Sequence, residues 1–190
     1  CPKASLSFSQ LRLPRARYMP LARLNFSPPS MAAFKIIFEV FMEKIPSILS
    51  GVSGEYFVAA ELSRRGYIAS LTLKNTKGID VLVSNAEATK FIGIQVKTNQ
   101  SARKAWLLNE KNEKYYADNL FYVFVNLKNI DSFPDFYIVP SKTVAHHLKS
   151  SFRKWLDTPG KKGQPHKDNP MRMFKEEKDE YLGKWELLNL

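Results

Sequence analysis

Residues 120–127, Leu-Phe-Tyr-Val-Phe-Val-Asn-Leu, constrain the fold of this chain most. A half-exposed strand alternates polar and apolar side chains; a nearly continuous apolar run of this length suits a central strand covered on both faces. The flanking sequence supplies further strands and helices, so the expected class is α/β. Strands are predicted over residues 67–73, 79–83, 90–97 and 135–139. A turn is expected at 75–78 and a loop at 84–89. Residues 53–66 read as a helix with Ser53 as N-cap and Gly66 as its stop.

A preceding helix is predicted over 34–49, with Phe34, Ile37, Phe38, Phe41 and Ile45 on one side. Pro46 ends or bends it, and Ser50-Gly51 separates it from the next. Residues 98–104 read as a polar, basic loop, Trp106-Leu107-Leu108 as a short apolar patch, and 109–118 as a polar helix or loop. Pro140-Ser141 opens a helix whose buried stripe is Val144, Leu148, Phe152 and Trp155; His146 and His147 are expected on its surface. A basic loop of Gly, Pro, Lys and His follows over 158–171, a length that is usually functional or disordered. The tail from 172 to 190, with Phe174, Tyr181, Trp185 and Leu188, is expected to close the domain as a helix.

The chain has 190 residues, 44% apolar and 13% aromatic, enough for one domain with a real core. Its formal charge is +11, of which residues 1–30 contribute five bases and no acid, leaving +6 for the rest. Such a balance suits a polyanion, because Lys and Arg neutralising phosphates dominate non-specific nucleic-acid affinity. The single cysteine, Cys1, excludes a disulfide framework and a Cys/His zinc cluster. No apolar run approaches membrane-spanning length. Residues 1–30 are Arg- and Ser-rich with five prolines, like an organellar transit peptide. The preferred reading is upstream sequence ahead of a start at Met31, with deletion leaving stability unchanged. The expected domain is 31–190, with a core of about 50–140 and a closure over 141–190, in a cytoplasmic protein.

Three positions stand out against this background. In residues 91–97, Phe91, Gly93, Gln95 and Lys97 point one way, and Ile92, Ile94 and Val96 the other. The second set is core; the first carries an amide and an ammonium side by side. On its own this pair reads as a solvated face. Asp80 lies within an apolar strand, where Asp is depleted, or serves as a turn residue after Lys77-Gly78. Glu55 falls among Val58, Ala59 and Leu62 on the apolar side of its helix, with Glu61, Ser63 and Arg64 elsewhere. The bland reading of Glu55 is a first-turn acid complementing the helix dipole.

Helix Glu55, strand Asp80 and then Gln95-x-Lys97 on the next strand resemble the PD-(D/E)xK nuclease superfamily. The wider string is similar too: Gly54-Glu55, Ala60-Glu61-Leu62, Gly66-Tyr67, Gly78-Ile79-Asp80 and Ile94-Gln95-Val96-Lys97-Thr98. The likeness covers about residues 50–140 and is strongest to resolvase-like and restriction-endonuclease-like members. It implies a restriction-endonuclease-like core, a central mixed sheet of four to five strands flanked by helices, and a metal-dependent endonuclease acting on DNA. Asp80, Gln95 and Glu55 would hold Mg²⁺ or Mn²⁺, and Lys97 would orient the attacking water or stabilise the phosphate. Lys77, Arg103, Lys104, Lys161 and Lys162 are the candidate nucleic-acid contacts, and a homodimer fits cutting of two strands. Gln95 replaces the commoner acid and leaves the site one negative charge poorer. A catalytically silent domain of this fold, binding nucleic acid or a protein, is the alternative.

Overall fold

The computed structural model describes residues 30, 45–73, 78–101 and 103–190. Residues 43–190 form one compact unit; the extension over 1–29, most of the 34–49 helix and Lys77 lie outside the described residues. As expected, the fold is α/β with a central mixed sheet. The elements run α1 (Ser47–Arg64), β1 (Ile68–Leu71), β2 (Val81–Ser84), β3 (Phe91–Asn99) and β4 (Ala105–Asn109). A 3₁₀ turn (Glu110–Glu113) precedes β5 (Leu120–Asn126), β6 (Asp135–Pro140), α2 (Ser141–Asp157) and β7 (Met171–Lys175), and a second 3₁₀ turn (Trp185–Leu188) ends the chain.

Five strands form one sheet in the order β1-β2-β3-β5-β6, and β4 pairs with β7 in a separate two-stranded ribbon. Within the sheet β3 and β5 are parallel, and the other neighbours are antiparallel. The apolar run is β5, and all seven of its residues are buried. Phe121, Val123 and Val125 face one way, joining Ile92, Ile94 and Val96 of β3 and Val58 and Leu62 of α1. Tyr122 and Phe124 face the other way, joining Val144 and Leu148 of α2 and Trp106, Leu108 and Phe174 of the ribbon. The indole of Trp106 ties that ribbon to the sheet by donating to the Val125 carbonyl at 2.9 Å. The sheet is thus a middle layer between α1 on one face and α2 with the ribbon on the other.

Several elements depart from expectation. The helix starts at Ser47, directly after Pro46, and runs through Ser50-Gly51 without a break; Ser53 is therefore an interior residue and not a cap. Proline is tolerated at a helix start because the first N–H groups have no partner there. Glu61, expected to point elsewhere, is buried at 5% exposure, and Ala59 and Glu55 sit only partly covered beside it. Arg64 at 2.6 Å and Arg65 at 3.2 Å neutralise Glu61, which is what makes its burial tolerable. The short patch around Trp106 is strand β4. The tail is a strand and a 3₁₀ turn, not a helix.

In α2, Phe152 and Trp155 leave the core and hold other groups. Arg172 lies 3.3 Å above the Phe152 ring, and His166 stacks on Trp155 at 4.0 Å. These contacts anchor the basic 158–171 loop. His147 is half-buried against Phe174 and not at the surface. No helix among the described residues is long and apolar enough to cross a membrane.

Candidate active site

The candidate residues are positioned by the ends of β2 and β3. Gly78 precedes them at φ +72, a conformation that favours glycine. A Cβ there would also lie 2.4 Å from the Tyr115 ring, so glycine is required twice over. The chain then enters β2. Its register pairs Val83 with Ile92, Leu82 with Gly93 and Val81 with Ile94. The strand pairing ends at Val81, and the Asp80 N–H still donates to the Ile94 carbonyl at 2.8 Å.

Beyond that point β2 no longer follows β3, and the Val96 N–H would lose its ladder partner. The Asp80 carboxylate takes it instead: Oδ2 accepts from Val96 N–H at 2.7 Å. This accounts for an Asp at the mouth of an apolar strand. An ionised carboxylate has about four acceptor positions, so the bond leaves capacity for a cation.

Gln95 and Lys97 lie on the face opposite Ile94 and Val96, beside Tyr122 and Phe124 of β5. Gln95 is held by a relay that sequence reasoning missed. Asn109 and Asn112 cap the first 3₁₀ turn reciprocally. Asn112 Oδ1 accepts from the Asn109 N–H at 3.0 Å, which turns its amide nitrogen inward. That nitrogen donates to the Tyr122 hydroxyl at 2.9 Å and to Gln95 Oε1 at 3.4 Å. The Gln95 carbonyl is thereby oriented, and it keeps a second lone pair. Burial pushes the Tyr122 phenol up, and the Asp80 charge pushes it the same way. Gln95, Asn112 and Tyr122 therefore form one polar cluster within an aromatic layer. The Asn-x-x-Asn spacing was its visible sequence signal.

Lys97 is the next residue on the Gln95 face and is half-buried. Among the described residues no carboxylate pairs with it. Glu55 comes from the other layer. Gly54 of α1 packs so closely on Thr98 that a Cβ would sit 1.9 Å from Thr98 Oγ1. This contact carries the half-buried Glu55 to the Thr98 end of β3. The structure thus brings Asp80 to the stretch of β3 that carries Gln95 and Lys97, whereas Glu55, expected to share the site, lies in the α1 layer, across the sheet from Gln95 and Lys97.

Among the described residues no three His, Cys, Asp or Glu side chains form a metal-ligating group. A hard cation that keeps several waters needs only one or two carboxylates. The all-oxygen pair of Asp80 and Gln95 fits such an ion. Of the expected nucleic-acid contacts, Arg103, Lys161 and Lys162 are exposed. Lys104 is not available as a bare charge: its Nζ lies 2.6 Å from Asp179 Oδ1, and that bond holds the Asp179 carboxyl below its usual range. No family model matches the chain, and no curated protein and no solved structure does either.

Proposed function

We propose that this chain is a metal-dependent endonuclease acting on DNA. The observation that carries the reading is the Asp80 carboxylate on the Val96 N–H, between Gln95 and Lys97 of β3, with Lys97 half-buried and paired to no carboxylate among the described residues. A bound Mg²⁺ or Mn²⁺ would supply charge neutralisation at the phosphate. Asp80 holds it through the oxygen capacity that Val96 leaves unused, and Gln95 contributes a carbonyl fixed by Asn112. Lys97 meets the negative charge that grows on the phosphate in the transition state, where a positioned cation in a partly dry site acts most strongly. Incubating the protein with plasmid and single-stranded DNA in Mg²⁺ or Mn²⁺ tests this: metal-dependent nicking is expected. Intact DNA under all conditions would overturn it.

One observation favours a second reading, a silent domain of the same fold that binds nucleic acid. Both Asp80 and Gln95 have structural partners, Val96 and Asn112, that explain their presence without chemistry. Under that reading DNA is bound and never cut.

A further inference from the structure

Among residues 45–190 the positive charge is concentrated in one stretch. Residues 45–140 hold eleven Lys and Arg against nine Asp and Glu, and residues 176–190 hold two against five. Residues 141–175, which make α2, the loop after it and β7, hold nine against two. All but the buried Arg172 among those nine are exposed.

Their arrangement is ordered. At 100° per residue, Lys142, Lys149 and Arg153 fall within about 20° of one line along α2. Val144 and Leu148 on the opposite side are fully buried. The line is about 16 Å long at 1.5 Å per residue. Beyond the helix, Lys161 and Lys162 sit in a built turn. Gly160 N–H donates to the Gln164 carbonyl at 2.9 Å, and Lys162 N–H to Gln164 Oε1 at 3.0 Å. Gly163 takes φ +78 to close it. The turn's base is fixed by the Trp155–His166 stack and by Glu110 N–H on the Pro170 carbonyl at 2.9 Å. Lys142 pairs with Asp118. Among the described residues no carboxylate pairs with Lys149, Arg153, Lys161 or Lys162.

We infer that the α2 line and the Lys161–Lys162 turn form one phosphate-tracking surface that holds a nucleic-acid backbone. The line is as long as about five base-pair steps, 3.4 Å each along a duplex axis. Rigid display matters, because cations already held in place lose less freedom on binding. The helix that carries the line also packs against the 3₁₀ turn of Asn112, the residue orienting Gln95. A lipid surface fits poorly. A membrane-binding amphipathic helix inserts its apolar side, and the apolar side of α2 is spent on the core. The choice of nucleic acid rests on the reading proposed above, but the surface can be tested without any cleavage.

The experiment measures binding of a 30-base-pair fluorescent duplex in EDTA, against salt, for wild type, K149E/R153E and K161E/K162E. A charge-matched control, K178E/K184E, lies in the acidic tail. Each surface variant is expected to lose roughly tenfold or more in affinity, and the salt dependence of log K to flatten by about 2. The control should change far less, and all variants should melt as wild type does, since the residues are exposed. Unchanged affinity in the surface variants, or an equal loss in the control, overturns the inference. So does binding to phosphatidylserine vesicles with no binding to DNA. Strong binding by this surface without metal-dependent cutting would keep the inference and refute the nuclease.

Discussion

At the scale of single residues, Asp80 has two duties that substitutions can separate. Asp80→Ala removes the acceptor for the Val96 N–H and leaves a buried donor unpaired, a loss of about 1–3 kcal/mol. Asp80→Asn keeps an oxygen there but removes the charge. It should unfold in urea close to wild type and yet cut no DNA. Asp80→Asn cleaving at the wild-type rate would remove Asp80 from the chemistry. Lys97→Ala should lower the single-turnover rate by roughly 10²-fold, with a much smaller change in Kd, because its contribution grows in the transition state. An unchanged rate would show that Lys97 is surface decoration. Gln95 and Lys97 were legible in the sequence because strand alternation fixes which side chains share a face, and Asp80 because an acid is out of place in an apolar strand. Asn112 and Tyr122 were not: one looked like a polar loop residue and the other was absorbed into an apolar run. Only the packing of the 3₁₀ turn under the sheet joins them to Gln95.

At the scale of elements, α1 shows why its register was misread. The closest contact of its buried side is Gly54, which carries no hydrophobic signal, and the same side includes Glu61, whose charge argues against burial. The tail misled in the opposite sense. Phe174, Tyr181, Trp185 and Leu188 are spaced like a helix. Yet β7 buries Arg172 and Phe174 and exposes Met171 and Met173, an inversion that Glu113 and the Phe152 ring make tolerable by holding the guanidinium. Helix propensity favours alanine over glycine by about 1 kcal/mol. Gly51→Ala, with nothing near its Cβ, should therefore stabilise by up to about that amount. Gly54→Ala meets a Thr98 side chain that cannot swing clear, so overpacking should destabilise by about 1–3 kcal/mol instead. Equal effects in chemical denaturation would refute the packing. The α2–β7 contact carries a pH signature. Burial against Phe174 lowers the His147 pKa below its ordinary 6.5, so the folded state prefers the neutral ring. This contribution is complete above about pH 6.5 and is lost as pH falls through the depressed value. The stability advantage of wild type over His147→Gln should shrink between pH 7.5 and 5; a constant difference would show that His147 does not titrate differently on folding.

At the scale of the whole molecule, one sheet separates two jobs. The α1 face is a plain aliphatic core, while the α2 face combines aromatic packing, the polar cluster and the basic line. The sheet itself was readable because β3 alternates and β5 does not; the ribbon was not, since β4 and β7 are 62 residues apart at their paired positions Asn109 and Met171. A division of this kind makes the proposed metal site the point to test, and Gln95 the place to probe it. Gln95→Glu sets a second carboxylate next to Val96, whose N–H the Asp80 carboxylate holds. Like charges at that spacing repel in the metal-free protein, and a divalent ion between them relieves the repulsion. Thermal melting of wild type and Gln95→Glu with and without Mn²⁺ is the direct measurement. The account predicts a lower Tm for the metal-free variant and a larger Mn²⁺-dependent rise than in wild type. A destabilised variant that Mn²⁺ fails to rescue, with no shift in wild type, would contradict it.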